Sequence, residues 1–375
     1  MEIRVETKPL LAELNLALGI VESKATIPIL SNLLFKAEGD YLELVATDLD
    51  VTLRTRCHAE VIEPGAITVP ARKIGSIVKA FLGEEAPLWL KTTQDRKLFL
   101  QPLGKRNEYH LQTLPEEDFP SLLDPASIAA IGLDSATVRQ CIEEVLISSG
   151  NEDGRFSVRG ALLILEPNSL AMVSTDGHRL SHSTYPLETG VEAPTRILVP
   201  KKTLTELMKL EGEGQLGMRI KESHIFFELG QRLLYSRLMD TSFPAFEKVL
   251  NPPTDKVAIV RRASLLEKLR RVSMVADTKN RAVTLSFGQQ GVLEIIARNQ
   301  ETADEGKEYE TPENYEGEPV SIGFTIDFLT DFLSVCRSEL VAIKMSDPEH
   351  QTVLEPVRKE EAGSNRYVVM PLRMD

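Results

Sequence analysis

Apolar and polar positions repeat in the same order three times along the chain. Residues 33–48 and 161–176 each show the pattern of a strand, a turn and a second strand that ends in Thr-Asp. Residues 283–299 follow the same outline with fewer matching positions. Several matching segments in one order at one spacing indicate an internal repeat, so we predict three units of about 125 residues each.

Each unit is also predicted to carry two helices. The leading helices are expected in residues 5–14, 133–142 and 260–269, and the second helices in residues 67–81, 197–210 and 320–335. The apolar spacing of an amphipathic helix is found at Ile74, Ile77, Val78 and Phe81, and again at Val138, Cys141, Ile142 and Val145. Pro70 and Pro200 suit the first turn of a helix, where an N–H would be unpaired anyway.

These elements predict an α+β fold of three repeated domains, at residues 1–127, 128–254 and 255–375. In each domain we expect antiparallel sheets with two helices packed on one side. Leu42 and Leu44 alternate with polar neighbours, and so do Val51 and Leu53, which predicts strands with one buried face.

Charge and composition narrow the class of protein. The formal net charge of −13 argues against a nucleic-acid partner, but residues 301–318 alone hold eight acidic residues and one lysine, so a basic surface elsewhere is still possible. We find neither a membrane-spanning apolar run nor a signal peptide. Cys57, Cys141 and Cys336 are too few and too far apart for a disulfide framework or a structural zinc site. We therefore expect a cytoplasmic protein with no metal and no membrane contact.

Basic residues recur on the polar faces of the predicted helices. They are Arg72, Lys73 and Lys79, then Lys201, Lys202 and Lys209, then Arg261, Arg262, Lys268, Arg270 and Arg271. On any one helix such residues usually only keep the surface soluble. Their recurrence in an otherwise acidic chain favours contact with nucleic-acid phosphates without sequence specificity. Asp327 and Asp331 break this pattern in the third unit.

The string TDGHRL at residues 175–180 is the most enzyme-like in the chain. Asp176 and His178 could in principle serve a hydrolase, but Asp-Gly after a strand is first of all a turn signal. The equivalent segment of the first unit, TDLDVTL, keeps the Asp and lacks the His and the Arg. No metal-binding, nucleotide-binding or nucleophile motif is present. We assign no catalytic residue and expect no cofactor.

Taken together, the three units, TDGHRL after a strand, the helices that follow Val-Pro and the C-terminal YVVMPLR resemble the bacterial sliding clamps, the beta subunits of DNA polymerase III. The resemblance covers essentially the whole chain. It implies a non-enzymatic homodimer that forms a ring of six domains, with helices lining the hole, sheets forming the outer wall and the acidic segment 301–318 facing outward. The expected partners are double-stranded DNA, DNA polymerase III, the clamp loader and other proteins with a clamp-binding motif.

The resemblance also implies a hydrophobic peptide-binding pocket. Its residues would be Val158, Thr175, Gly177, His178, Arg179, Leu180, Pro244, Lys248, Val249, Val368, Val369, Met370, Pro371, Leu372 and Arg373. The chain departs from the family pattern by continuing to Met374 and Asp375.

Two further sets of residues follow from the resemblance. Lys24, Arg155 and Phe156 would contact DNA from loops, although Ser157 replaces the second aromatic residue of the family pattern. Tyr109 and Leu111 would meet Met274 and Val275 of the other subunit. The alternative function, favoured by the net charge, is a peptide-binding scaffold that does not encircle DNA.

Overall fold

The computed structural model describes residues 1–22, 26–84, 86–151, 158–212, 214–277, 279, 281–288, 291–357 and 363–373. Contacts between Cα atoms divide the chain into two compact units. The first consists of Met1–Ser135 and Lys202–Met239, and the second of Ala136–Lys201 and Asp240–Asp375. The boundaries of three separate domains therefore stay a prediction.

The secondary structure repeats three times. The first repeat comprises β1 (Glu2–Val5), α1 (Thr7–Ile20), β2 (Asn32–Glu38), β3 (Tyr41–Thr47), β4 (Val51–His58), β5 (Glu60–Glu63), β6 (Gly65–Pro70), α2 (Ala71–Ala80), β7 (Leu88–Thr92), β8 (Lys97–Pro102) and β9 (Tyr109–Gln112). The second comprises β10 (Ile131–Asp134), α3 (Ser135–Leu146), β11 (Gly160–Glu166), β12 (Ser169–Thr175), β13 (Arg179–Pro186), β14 (Thr195–Pro200), α4 (Lys201–Lys209), β15 (Gln215–Lys221), β16 (His224–Leu229) and β17 (Arg232–Arg237). The third comprises β18 (Lys256–Arg261), α5 (Arg262–Val272), β19 (Ala282–Phe287), β20 (Leu293–Arg298), β21 (Glu305–Glu310), β22 (Asn314–Glu316), β23 (Val320–Thr325), α6 (Ile326–Val335), β24 (Leu340–Met345), β25 (Thr352–Pro356) and β26 (Ser364–Val369).

In the described parts of the chain the strands form four antiparallel sheets. The first unit has a sheet ordered β5-β1-β7-β8-β9 and another ordered β10-β15-β16-β17-β4-β3-β2-β6. The second unit has a sheet ordered β14-β11-β12-β13-β26-β25-β24-β18-β22 and another ordered β21-β20-β19-β23. Two of the sheets thus join strands of successive repeats, through β17 with β4 and through β26 with β13. The predicted α+β architecture with a helix pair in every repeat is confirmed.

The helices pack on these sheets by the apolar faces that the sequence predicted. In α2, Ile74 and Val78 are fully buried, and in α3 so are Cys141 and Ile142. None of the helices in the described residues is long and apolar enough to cross a membrane. A core in the second unit gathers side chains of α5, α6 and the strands around them, including Phe332 and Tyr367.

Two local predictions need correction. Strand β3 is buried on both faces rather than one, because Glu43 between Leu42 and Leu44 is covered by the guanidinium groups of Arg54 and Arg56. Pro70 and Pro200 do not lie in the first turns of α2 and α4. Each of them is the last residue of the preceding strand, β6 or β14, and the helix begins at the next residue.

One turn recurs in all three repeats, after the third strand of each (β3, β12 and β20). The side-chain oxygens of Asp48, Asp176 and Asn299 accept hydrogen bonds from backbone N–H groups two and three residues further on. Such a side chain fixes a tight turn without help from its neighbours. In the first two repeats the residue after the aspartate has a positive φ, +81° at Leu49 and +88° at Gly177.

Candidate peptide-binding groove and basic helices

A groove of about 570 Å³ opens in the second unit beside the turn after β12. Its lining is mostly apolar, with a hydroxyl, an imidazole and a guanidinium among the side chains. The lining residues are Thr175, Gly177, His178, Arg179, Leu180, Pro244, Ala245, Phe246, Val249, Val368 and Met370. A concave apolar surface of this size with a few polar groups suits a short apolar segment of another molecule.

Nine of the fifteen residues predicted for this pocket lie in the lining. They are Thr175, Gly177, His178, Arg179, Leu180, Pro244, Val249, Val368 and Met370. Ala245 and Phe246 line the groove but were not predicted. The ring of Phe246 lies 5.9 Å from that of Phe243 and 5.9 Å from that of His182. Phe246 lies two residues after Pro244, so the segment itself pointed to it.

The other six predicted residues surround the groove without lining it. Val158 is buried and donates its backbone N–H to the carbonyl of Thr175, behind the groove. Val369 belongs to the core of the second unit, and Leu372 bonds to the carbonyl of Gly323. The remaining three differ in solvent exposure: Pro371 is half-buried, and Lys248 and Arg373 are exposed. A role for these six in binding stays a prediction.

Arg179 is held from several sides at the polar end of the groove. Its Nε donates to Oδ2 of Asp176 at 2.9 Å, and its Nη1 donates to Oδ2 of Asp331 at 2.6 Å. The guanidinium carbon lies 4.4 Å from the centre of the Phe328 ring, and Nη1 is 3.4 Å from the hydroxyl of Tyr367. Burial opposes the charge of Arg179, but Tyr367 and the two carboxylates outweigh it and raise its pKa.

The carboxylate of Asp176 is occupied by the turn itself. Oδ1 accepts the N–H groups of His178 and Arg179 at 3.0 Å each, and Oδ2 accepts from the Arg179 side chain. His178 stacks on Phe328 at 6.5 Å between ring centres. Within the described residues, no group of three acidic, histidine or cysteine side chains is placed to hold a metal. These contacts explain the side chains of Asp176 and His178 by the structure of the turn and its packing.

The basic side chains of the helices differ in how many of them already have a hydrogen-bond or ion-pair partner within the protein. On α2, Arg72, Lys73 and Lys79 are exposed, and none of them makes an ion pair with a described residue. On α4, the Lys201 ammonium donates to the carbonyl of Ser149 and to Asn151 at 3.0 Å each, and burial lowers its pKa. The predicted phosphate contact therefore has its freest cations on α2.

Lys202 and Lys209 of α4 both have carboxylate partners. The ammonium of Lys202 lies 2.5 Å from Oδ2 of Asp48 and also donates to the carbonyl of Ile20. Lys209 lies 2.7 Å from Glu206, one turn back on the same helix. Sequence alone could not separate these lysines from Arg72, because Asp48 is far away along the chain.

Three of the basic residues predicted around α5 pair with the acidic segment 301–318. Arg271 donates from Nε to Glu308 at 2.7 Å, Lys268 pairs with Glu310, and Arg261 lies 2.5 Å from Glu313. The hydrogen bond from Arg271 lowers the pKa of Glu308. The acidic segment therefore offsets part of the positive charge of α5, which the sequence did not predict, whereas Arg262 and Arg270 bond to uncharged oxygens.

Comparison with known proteins agrees with this organisation. Successive parts of the chain match the DNA polymerase III beta subunit: its N-terminal domain over residues 1–124, its central domain over 132–245 and its C-terminal domain over 248–373. The chain belongs to this family. The beta sliding clamps of Pseudomonas putida and Vibrio cholerae are 34% and 33% identical to it, over 100% of both chains in each case.

Solved clamp structures share the fold of this family member. A Pseudomonas aeruginosa sliding clamp bound to griselimycin matches with a TM-score of 0.90 at 32% identity, over 100% of both chains. The Bacillus subtilis clamp has a TM-score of 0.92 at 21% identity, also over 100% of both chains, and so shares the fold. The family predicted from the sequence is confirmed.

The remaining residues predicted from the clamp family fall into two groups. Lys24, Arg155 and Phe156 lie outside the described residues, as do Met374 and Asp375. Tyr109 and Leu111 lie on β9, and Met274 and Val275 follow the end of α5. Met274 is 81% exposed, the largest value among the exposed large apolar residues of the described chain.

Proposed function

We propose that this chain works as a DNA sliding clamp in the cytoplasm, with domains at residues 1–127, 128–254 and 255–375. Two copies close head to tail into a ring around duplex DNA, and the groove holds DNA polymerase III, the clamp loader and other partners on it. Such a ring stays on DNA because it encloses the duplex, so it needs only weak phosphate contacts without sequence preference. Tethered partners gain a high effective concentration at the template, and no catalytic residue is needed.

The observation that carries the proposal is a pair of unjoined sheet edges. Strands β4, β13 and β21 are equivalent in the three repeats, and so are β17, β26 and β9. Inside the chain β4 pairs with β17, and β13 pairs with β26. Strands β21 and β9 are left at the edges of their sheets. Pairing β9 of one copy with β21 of another would extend the repeated pattern and cover two edges that could otherwise aggregate.

The repeated turn supplies the register of this pairing. Ser236 lies opposite Val51, and Val369 lies opposite Arg179. At the open edges Asp304 is equivalent to Val51 and Arg179, because its carbonyl accepts the N–H of Asn299 as theirs accept the N–H groups of Asp48 and Asp176. Gln112 is equivalent to Ser236, 124 residues later, the same spacing that separates Pro120 from Pro244. The proposed register therefore places Gln112 opposite Asp304, Leu111 opposite Glu305, His110 opposite Gly306 and Tyr109 opposite Lys307 of the second copy. Val275 lies beside this edge, because a Cβ at Gly306 would meet its side chain, and Met274 is its neighbour in sequence.

A cysteine pair tests the interface and its register together. In the variant carrying Gln112→Cys and Asp304→Cys, oxidation should link two copies covalently, since residues directly opposite on antiparallel strands have neighbouring Cβ atoms. The native cysteines Cys57, Cys141 and Cys336 are buried, so they should not interfere. The matched control pairs Gln112→Cys with Glu305→Cys, whose side chain points to the other sheet face. Equal cross-linking of both variants would contradict the register, and a monomer at all concentrations would contradict the dimer.

Retention on DNA separates the clamp from the scaffold alternative. The variant with both Gln112→Cys and Asp304→Cys is oxidised in the presence of nicked circular DNA and washed at high salt. A closed ring should stay on the circle and be released when the circle is cut, because linear DNA has ends. A scaffold that does not encircle DNA would be washed away from circular and linear DNA alike.

Binding of griselimycin tests the groove. Fluorescently labelled griselimycin should bind the chain, and Met370→Ala should weaken binding by about 2 kcal/mol, roughly thirtyfold, because a few buried side chains dominate such interfaces. Val357→Ala is the matched control, since Val357 is an apolar residue of the same unit that is 42% exposed and does not line the groove. A loss with Val357→Ala and none with Met370→Ala would place the site elsewhere.

A further inference from the structure

Asp331 of α6 forms an ion pair with a residue outside its own helix. Its carboxylate is 42% exposed and accepts a hydrogen bond from Nη1 of Arg179 at 2.6 Å. Asp331 belongs to the third repeat, whereas Arg179 follows the recurring turn of the second. The contact therefore joins a surface helix to the wall of the groove.

The contacts of Arg179 leave one nitrogen of its guanidinium without a hydrogen-bond partner in the described structure. Asp176 holds Nε, Asp331 and Tyr367 hold Nη1, and the ring of Phe328 covers one face of the guanidinium. The remaining nitrogen, Nη2, has no hydrogen-bond partner among the described residues, and Arg179 lines the groove. A planar guanidinium fixed at two nitrogens can present its free N–H groups in one direction only.

We propose that Asp331 is a positioning residue for the groove. It fixes Arg179 so that the free N–H groups of its guanidinium face an oxygen acceptor on the bound segment. This inference rests on the proposed function, because it needs the groove to bind a ligand. Tyr367 supports the same arrangement from below, since its hydroxyl also donates to the carbonyl of Phe328 at 2.8 Å.

The helix offers a matched control for Asp331. Asp327 lies one turn earlier on α6, is 49% exposed and pairs with Arg281 at 2.9 Å, away from the groove. Asp327→Asn and Asp331→Asn each remove one exposed carboxylate and one arginine pair from α6. A general effect on the helix should appear equally in both variants, whereas an effect through Arg179 should appear only with Asp331→Asn.

The test measures the affinity for labelled griselimycin, with a thermal melt for each variant. Asp331→Asn should bind about tenfold more weakly, the size expected for one charge-assisted hydrogen bond, whereas Asp327→Asn should bind like the wild type. Asp331→Glu should restore part of the loss. In an Arg179→Ala background, Asp331→Asn should cause no further loss, because the residue through which it acts is gone.

The outcomes distinguish this inference from the proposed groove. If the wild type binds griselimycin, Met370→Ala weakens it and Asp331→Asn binds equally well, then the groove stands and the positioning role is overturned. An additive loss of Asp331→Asn in the Arg179→Ala background would also overturn it. If the wild type does not bind at all, the proposed groove fails, and the positioning role fails with it.

Discussion

The ammonium of Lys202 lies 2.5 Å from Oδ2 of Asp48 and 3.0 Å from the carbonyl oxygen of Ile20. Asp48 is almost buried, and its other oxygen holds the turn after β3. Lys202 therefore ties the second helix of the second repeat to the turn of the first. A residue that the sequence marks only as one of several helix lysines is part of the internal structure.

Removal of Lys202 should lower the stability of the fold more than it weakens DNA binding. Lys202→Ala leaves the Asp48 carboxylate without its cation, and we expect a loss of about 1–2 kcal/mol in the free energy of unfolding. Chemical denaturation measures the change. Lys73→Ala is the control, since Lys73 is exposed on α2 and has no ion pair in the described structure. Equal stability of the two variants would contradict the structural role of Lys202.

Charge reversal on α2 should act on DNA instead. Changing Arg72, Lys73 and Lys79 to glutamate should weaken DNA binding for all sequences alike. It should also flatten the dependence on salt by about 0.9 logarithmic units for each phosphate that the variant no longer neutralises. Arg271→Gln is the control, because Arg271 is already paired with Glu308. A larger effect of Arg271→Gln than of the α2 variant would show that the paired helix, not α2, contacts DNA.

Replacing Leu49 by glycine should stabilise the fold. Leu49 is 53% exposed and holds a φ of +81°, which strains any residue with a Cβ, whereas the second repeat has Gly177 at the equivalent position. We expect a gain of about 1 kcal/mol in the free energy of unfolding. Leu49→Ala removes the same exposed side chain but keeps the Cβ and should give no such gain. A gain of equal size with alanine would assign the effect to removal of the leucine side chain.

Acid should destabilise the protein in part through His182. Burial, helped by Arg366, lowers the pKa of His182 from 6.5 to about 4. Below pH 6.5 the unfolded chain binds a proton at this residue that the folded chain does not, so stability falls as the pH drops toward 4. The loss is about 1.4 kcal/mol per pH unit, or about 2 kcal/mol between pH 6.5 and 5.

His182→Gln should flatten this part of the pH dependence, measured by denaturation at pH 7, 6 and 5. His350→Gln should change the dependence in the opposite sense, because the hydrogen bond with Asp347 raises the pKa of His350 and stabilises the fold at low pH. An unchanged slope in His182→Gln would show that His182 is protonated in the folded protein above pH 5.

The fold was largely predictable because apolar spacing is a local property. The three repeats and their helices follow from positions such as Ile74 and Val78, which are buried as the pattern required. The alternation of side chains along the last strand could also have improved the prediction of the residues that line the groove. Val368 and Met370 line it while Val369 between them is in the core, as the alternation along a strand demands.

The pairing of charges was not predictable, because the partners are distant in sequence. Lys202 pairs with Asp48 across 154 positions, and Arg179 with Asp331 across 152. Nothing near either residue indicates the partner. The ion pairs of Lys268 and Arg271 with residues 301–318 were not predictable for the same reason, because they depend on β21 lying against α5.

At each junction between successive repeats one ion pair joins a helix to the turn region, and these two pairs have opposite polarity. At the first junction the turn supplies the acid, Asp48, and the helix supplies the cation, Lys202. At the second junction the turn supplies the cation, Arg179, and the helix supplies the acid, Asp331. If α6 took the place of α4 against the first turn, its acids would meet Asp48 and repel it. The helix of one junction therefore cannot replace the helix of the other without bringing like charges together at the turn.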